Sequence, residues 1–264
     1  MPSEVNPVAF HPDWLQPDWQ LPPSWPPVRA FMTTRAGGLS QGSHASMNVG
    51  SAVGDEPAMV QANRALVAQA LGARPVFLKQ VHGADVLRLC ADHVEAVEPP
   101  VADASVSCTP GLACAIQVAD CLPVLFAAPG AVGGAHAGWR GLAAGVLEHT
   151  VAEVCAAAGC VPAELHAWLG PCIGPQQFEV GAEVLAAFGA SPQVPGEAFV
   201  YRPNAAGEAR WLADLPALAR QRLRAAGVQA LSGGRWCTLS EPSRFFSYRH
   251  DARAGRMAAV VSLL

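Results

Sequence analysis

The chain has 264 residues, 51% of them hydrophobic and 14% charged, enough to bury the core of one large α/β domain. A formal net charge of −4, with sixteen arginines scattered along the chain, leaves no basic footprint for nucleic acid and no basic amphipathic helix for a membrane surface, so a small molecule is the expected partner. No run approaches eighteen consecutive apolar residues, no signal-peptide pattern opens the chain, and the eight cysteines lack disulfide-framework spacing; a cytoplasmic protein with reduced thiols is expected.

Residues 1–30, with HPDWLQPDWQLPPSWPP, are too rich in proline for a helix or an inner strand, and the tryptophans predict an extended segment packed on the surface of a domain formed by residues 31–264. A glycine- and serine-rich loop, TTRAGGLSQGSHASMNVG, carries Arg35 and Asn48. Residues 56–72 show helical periodicity ending at Gly72. Five apolar runs bounded by turn signals, PVFLKQV, ADVLRLC, LACAIQV, LPVLFAA and AVGGAHA, read as strands, which puts the sheet mainly between residues 75 and 138. From residue 140 a stripe of Leu142, Val146, Leu147, Val151 and Val154 predicts one helix that stops at Gly159. A strand in ELHAWLG, a turn in GPCIGPQ and a helix over residues 178–188 follow. Residues 190–210 are polar enough for a mobile loop. A helix in DLPALARQRLRAAG is expected to have Asp214 as N-cap and Gly227 after its end, and RMAAVVSLL closes the chain as a strand.

Three residues stand out chemically. His82 in QVHGADV, Cys121 in ADCLPVLF and His136 in GGAHAG each fall at a strand end, where an α/β sheet presents side chains to a cleft. Two imidazoles and a thiolate suit Zn²⁺ and leave its fourth tetrahedral position open. The spacing itself is unspecific, with no His-Glu-x-x-His and no Cys-x-x-Cys. Cys121 and His136 also form a possible thiolate–imidazolium pair for a cysteine hydrolase. Two His and one Cys are the equatorial set of a blue-copper centre as well, but eight histidines without a His-x-His are too few for a laccase copper cluster. Lys79, the only lysine, is read as flanking a strand rather than as a Schiff base. Walker and Rossmann phosphate loops are absent. For anions the candidates are arginines beside glycine or in a turn, Arg35, Arg140 and Arg249, of which Arg249 is preferred. Gln80 joins Arg35, Asn48 and Arg249 as an expected substrate contact.

In order along the chain, TTRAGGLSQG, SMNVG, LKQVHGADV, ADASVS, ADCLPVLF, HAGWRGLAAGV, GPCIGPQQFEVG and FFSYRHDARAGRMA resemble the laccase-domain polyphenol oxidase family, also known as peptidoglycan editing factors and as purine nucleoside phosphorylases with adenosine deaminase activity. The resemblance runs from about residue 31 to the end. It implies a single mixed-sheet α/β domain like the catalytic fold of cytotoxic-necrotizing-factor deamidases, with zinc held by His82, Cys121 and His136. The activity it implies is phosphorolysis of adenosine, inosine or S-methyl-5′-thioadenosine, with purine nucleosides and inorganic phosphate as partners. Deamination of adenosine would use a zinc-activated water at C6, with Asp120 or Asp103 moving the proton.

Two departures bear on this. Where the family writes SYRRD, His250 replaces the second arginine; and GPCIG replaces GPAIG, adding Cys172, which is expected to be a small buried thiol. Three competing functions remain at this stage: an amidase acting on a cell-wall precursor through Cys121 and His136, a copper-dependent polyphenol oxidase, and a non-enzymatic partner of peptidoglycan synthesis.

Overall fold

The computed structural model describes residues 10–94 and 96–264. In chain order its elements are β1 (Val28–Met32), α1 (Pro57–Leu71), β2 (Arg74–Phe77), β3 (Val86–Arg88), β4 (Ala104–Ser107), β5 (Leu112–Val118), β6 (Leu122–Ala128) and β7 (Ala131–Ala137), then α2 (Trp139–Ala143), α3 (Val146–Ala158), β8 (His166–Leu169), β9 (Glu179–Val180), α4 (Ala182–Ala187), β10 (Phe199–Tyr201), β11 (Trp211–Ala213), α5 (Leu215–Ala225), β12 (Ala230–Gly233) and β13 (Met257–Leu263).

They form a mixed α/β domain with three sheets: a six-stranded one in the order β12-β8-β6-β7-β4-β3, a four-stranded one in the order β1-β13-β5-β2, and a small β10-β11-β9 sheet. Strand sequences explain why the two large sheets pack together. In β5, Leu112, Cys114, Ile116 and Val118 face one apolar cluster and Ala113 and Ala115 face another; in β13, Met257, Ala259, Val261 and Leu263 alternate likewise with Ala258 and Val260. Runs without polar alternation are what strands covered on both faces require. The cluster shared by the sheets contains Ile116, Leu125, Trp168, Phe245 and Met257. Beyond the six-stranded sheet, α3 and α5 supply Val146, Leu147, Val154, Leu218 and Leu223, and beyond the four-stranded sheet α1 supplies Val67 and Leu71.

The predicted caps are present. Gly72 and Gly159 take φ of +69° and +65° at the ends of α1 and α3, and Asp214 accepts the Ala217 N–H at 2.8 Å at the start of α5. Several expected elements differ. The helix predicted from residue 140 is two helices, because Gly145 adopts φ +94° between them, a left-handed conformation that ends one helix and lets the chain start another. PVFLKQV is a strand only to Phe77; Lys79 flanks it and makes one bridge, to Val101. Residues 178–188 open with β9 before Gly181 and the short α4. Within the segment read as a mobile loop, β10 pairs with β11 and Phe199 is buried. ASVS and ALSG, too short and small for a strand signal, form β4 and β12, and with β1, β8, β12 and β13 the two large sheets extend far outside residues 75–138. From the proline-rich segment, Trp14 is buried and stacks on Phe31 at 5.0 Å, while β1 is an edge strand beginning at Val28. No helix of the described residues is long and apolar enough to cross a membrane.

The paired glycines of AVGGAHA lie in β7, covered on both sides. A Cβ at Gly133 would meet Val154 Cγ2 at 2.7 Å, and one at Gly134 would meet Ile116 Cγ1 at 3.0 Å. Substituting Gly133→Val is therefore expected to destabilise the domain by about 1–3 kcal/mol through overpacking, read as a lowered midpoint in urea unfolding; an unchanged midpoint would contradict this packing.

Candidate metal centre and its cavity

Cys121 and His136, fifteen positions apart, are brought together by a hairpin. Strands β6 and β7 run antiparallel with Pro123 opposite His136 and Leu122 opposite Ala137, so Cys121, one residue before β6, returns to the level of His136 at the open end. His82 comes from the turn after Lys79, where its φ is +62°. The Asp103 carboxylate shapes this turn, accepting the backbone N–H groups of Val81, His82 and Gly83 at 3.1, 2.9 and 2.7 Å. The same carboxylate accepts Nδ1–H of His136 at 2.8 Å. One buried acid thus places both imidazoles.

Donor atoms of His82, Cys121 and His136 lie within 4.8 Å of one another, the only such group of three His, Cys, Asp or Glu among the described residues. Cys121 Sγ is 3.8 Å from His82 Nε2, and the two imidazole rings are 4.8 Å apart at nearly right angles. The HAGWRG glycines make room for this: a Cβ at Gly138 would sit 2.9 Å from His82 Cδ2 and 3.1 Å from Cys121 Sγ, and one at Gly141 would meet the Gly83 carbonyl at 2.6 Å. Burial pushes the Cys121 thiol up, but the charge and hydrogen bonds of His136 and His82 outweigh it and hold the thiol at about 6. Burial acts downward on His136, yet the Cys121 thiolate and the Asp103 carboxylate raise it to about 9. A thiolate and two imidazoles, one oriented by a carboxylate on its far nitrogen, fit a small borderline-soft cation such as zinc, and copper shares the donor preference.

These groups open into a cavity of about 860 Å³. Arg64, Lys79, Arg140, Arg249 and Arg256 line it against two acids, Glu98 and Asp120. Both oxygens of Asp120 are occupied, Oδ1 by the Thr238 hydroxyl at 2.6 Å and Oδ2 by the Ser247 hydroxyl at 3.0 Å and the Arg249 backbone N–H at 2.7 Å.

Four expected substrate contacts separate into two pairs. Arg249 and Gln80 line the cavity; Gln80 is locked there by exchanging hydrogen bonds with the backbone of Gln117, both at 2.8 Å. Arg35 and Asn48 do not line it. The Arg35 guanidinium is spent on the carbonyls of Ala45 and Pro242 and stacks on Phe246, and Asn48 is buried within its own loop. Asp103, considered as a proton carrier, is ill suited to that role: burial would raise its carboxyl, but His136 and the backbone N–H groups of Gly83 and Val81 hold it below the ordinary carboxylate range, so it stays ionised and positions His136. His250 is exposed and lies outside the cavity lining, and Cys172 is a buried thiol raised by its surroundings. All eight cysteines are free, Cys114 fully buried and Cys155 half-buried. Sequence reasoning missed Arg64, which has no glycine beside it, and Arg256, although Gly255 precedes it.

Residues 29–264 match the model of the multi-copper polyphenol oxidoreductase laccase family. The chain belongs to this family. It is 48% identical over 252 residues to a Pseudomonas aeruginosa protein named purine nucleoside phosphorylase PA4543, covering 95% of this chain and 98% of that one. Over 249 residues it is 47% identical to Escherichia coli purine nucleoside phosphorylase YfiH, covering 92% and 98%. In structure it is similar to Neisseria meningitidis protein NMB0706, with a TM-score of 0.83, 43% identity and coverage of 95% and 99%. It is also similar to YlmD from Geobacillus stearothermophilus, with a TM-score of 0.79, 34% identity and coverage of 89% and 92%.

The Cys121 environment has a measurable consequence. In metal-stripped protein, the rate of Cys121 alkylation by iodoacetamide is expected to rise with pH around a midpoint near 6, and in His136→Gln the midpoint should move up toward that of an ordinary thiol. A wild-type midpoint above 8 would contradict the electrostatic reading.

Proposed function

We propose that this chain is a metal-dependent purine nucleoside phosphorylase acting on adenosine, inosine and S-methyl-5′-thioadenosine, with adenosine deamination as a second activity, on a domain related to the catalytic fold of cytotoxic-necrotizing-factor deamidases. The observation that carries this reading is the convergence of His82, Cys121 and His136 on a cationic cavity of about 860 Å³, within the size range of small-molecule sites. The names of the relatives support the substrate class. Zinc is the metal favoured, held by the same three residues; a set of multiple copper centres would need further ligand clusters, and among the described residues there is one. When bound, zinc would supply Lewis acidity and lower the pKa of a water to about 7.

In phosphorolysis an oxygen of inorganic phosphate forms a bond to ribose C1′ as the C1′–N9 bond breaks. The electron pair leaves on the purine, which takes a proton, and the products are the free base and a sugar 1-phosphate. The protein must hold an anion beside the sugar and keep the base in place. Gln80, fixed by its two bonds to Gln117, is a rigid wall group for the nucleoside, and Arg249, exposed at the cavity, can offer its planar fork to phosphate.

The lowered Cys121 and raised His136 favour a second reading, a metal-free cysteine hydrolase in which Cys121 is the nucleophile and His136 its base. Metal analysis of the purified protein, with nucleosides assayed with and without phosphate, separates them. Stoichiometric zinc removed together with activity supports the phosphorylase; an active metal-free protein inactivated by alkylation of Cys121 supports the hydrolase.

Replacing one ligand, as in Cys121→Ser or His82→Ala, is expected to lower zinc occupancy several-fold, since neither side chain restores a thiolate or imidazole donor at about 2.0–2.3 Å. Full occupancy in both variants, measured alongside melting, would overturn the ligand assignment. Arg249→Lys is expected to reduce phosphate-dependent cleavage of inosine about tenfold or more while adenosine deamination changes little, because a lysine cannot take two phosphate oxygens at once. If both activities fall together, Arg249 holds the nucleoside or the fold instead.

A further inference from the structure

The cavity contains a second charged feature that the His–Cys–His cluster does not use. Arg64 comes from the middle of α1 and Arg256 from the residue just before β13. Both are half-buried and both line the cavity. Among the described residues neither meets a carboxylate, in contrast to Arg88, Arg222 and Arg244, whose partners are Glu153, Glu148 and Glu241. The Cys121 thiolate and Asp120 act on Arg256 only from a distance, and two half-buried guanidinium groups with no carboxylate in contact are costly unless an anion joins them.

One short segment of backbone braces the pair. Arg64 Nε donates to the Val49 carbonyl at 2.9 Å, and its guanidinium lies 4.2 Å from the centre of the Phe77 ring. Arg256 is held by the next atoms along: its backbone N–H donates to Asn48 Oδ1 at 2.8 Å, its carbonyl accepts the Val49 N–H at 3.0 Å, and its stem lies on Gly50, where a Cβ would come within 2.6 Å of Arg256 Cγ. Asn48 is itself fixed, donating to Asp55 at 2.8 Å and accepting the Gly50 N–H at 2.9 Å. This is why SMNVG needs both its asparagine and its glycine, and why Asn48 serves the site without reaching the cavity. Arg256 Nη1 is committed to the carbonyls of Ala254 and Gly255 at 2.6 and 3.3 Å. That leaves both Nη groups of Arg64, and Nε and Nη2 of Arg256, without a protein partner among the described residues.

We propose that Arg64 and Arg256 form a preorganised clamp for a tetrahedral dianion, inorganic phosphate, in the cavity that also holds Cys121. Burial lowers the pKa of each arginine, consistent with guanidinium groups withdrawn from bulk water, where a bound anion is worth more than at the surface. The assignment deepens the phosphorylase reading and rests on it. It makes the two inner arginines the fixed seat of the nucleophile and Arg249 an outer, auxiliary contact. Planar forks held by backbone carbonyls suit this task because little side-chain freedom is lost when the anion binds.

Kinetics of inosine cleavage by the purified protein test it. Arg64→Lys and Arg256→Lys are each expected to raise KM for phosphate at least tenfold while KM for inosine stays within about twofold; an unchanged KM for phosphate, or an equal loss for inosine, overturns the clamp. Wild-type protein supplies a test that does not depend on the variants folding. Phosphate should protect Arg64 and Arg256 from modification by phenylglyoxal, read residue by residue by peptide mass, and protection of Arg249 alone overturns the assignment. Inosine 5′-monophosphate distinguishes the source of the dianion: if it binds more tightly than inosine, and the gain disappears in both variants, the clamp holds a nucleotide phosphate and the free-phosphate assignment fails. A wild-type protein that yields no sugar 1-phosphate from any nucleoside sinks the phosphorylase reading, and the clamp is then decided by phosphate protection alone.

Discussion

The site depends on a single buried carboxylate. Asp103 is shielded from water and accepts four hydrogen bonds, three from the consecutive N–H groups of Val81, His82 and Gly83 and one from His136. An ionised acid in such a place is tolerated only when its lone pairs are filled, so the turn has little choice but to wrap around it. That wrapping sets the φ of +62° at His82 and brings its imidazole beside the one Asp103 orients directly. The two His positions are therefore one electrostatic arrangement. Removing the acid would free a turn and an imidazole together, which is why its role is positional even though it lies a single hydrogen bond from His136.

Much of this was legible from residue order, because each signal was local. The apolar stripe from Leu142 to Val154 and the glycines at 72 and 159 are features of a few adjacent residues, and they describe the helices as found, apart from the break at Gly145. The spacing of Cys121 and His136, by contrast, is unspecific by itself, and it closes a hairpin only because β6 and β7 pair. What could not be read was anything that depended on partners distant along the chain. ASVS becomes β4 only because β7 and β3 flank it, and nothing in four small residues states that. Phe199 falls in a stretch that reads as polar loop until its partner in the small sheet, Ala213, fourteen positions on, is seen opposite it.

Arginine shows the same limit from the other side. Arg35 attracts notice because glycines follow it, yet those glycines let the loop fold back, and the guanidinium holds that loop to Pro242. Arg64 sits in an ordinary helical stretch with no glycine beside it, and Arg256 follows Gly255 at a strand start, a cue no stronger than the one at Arg35. Their shared feature is the Asn48–Gly50 backbone, which contacts one through a carbonyl and the other through an amide side chain. Glycine beside arginine is a local cue; a guanidinium that lines the cavity with nitrogens to spare after its backbone carbonyls are satisfied is a tertiary one, visible only in the fold.

The acids around the cavity complete the argument. Asp120 stands next to Cys121 with φ +86°, and its oxygens are filled by Thr238, Ser247 and the Arg249 backbone, much as Asp103 is filled by its turn. Each acid uses its charge to fix protein groups, and in doing so it binds the Cys-bearing strand end to the segment carrying Arg249. The five basic side chains that line the cavity keep a net positive field over it, although the chain as a whole is negative. Such a field favours an anionic reactant entering from solvent, and it favours the thiolate form of Cys121. The proposed metal ligation and anion capture would thus be served by one charge distribution, in which Asp103 and Asp120 are consumed in building the walls and the basic side chains line the space between them.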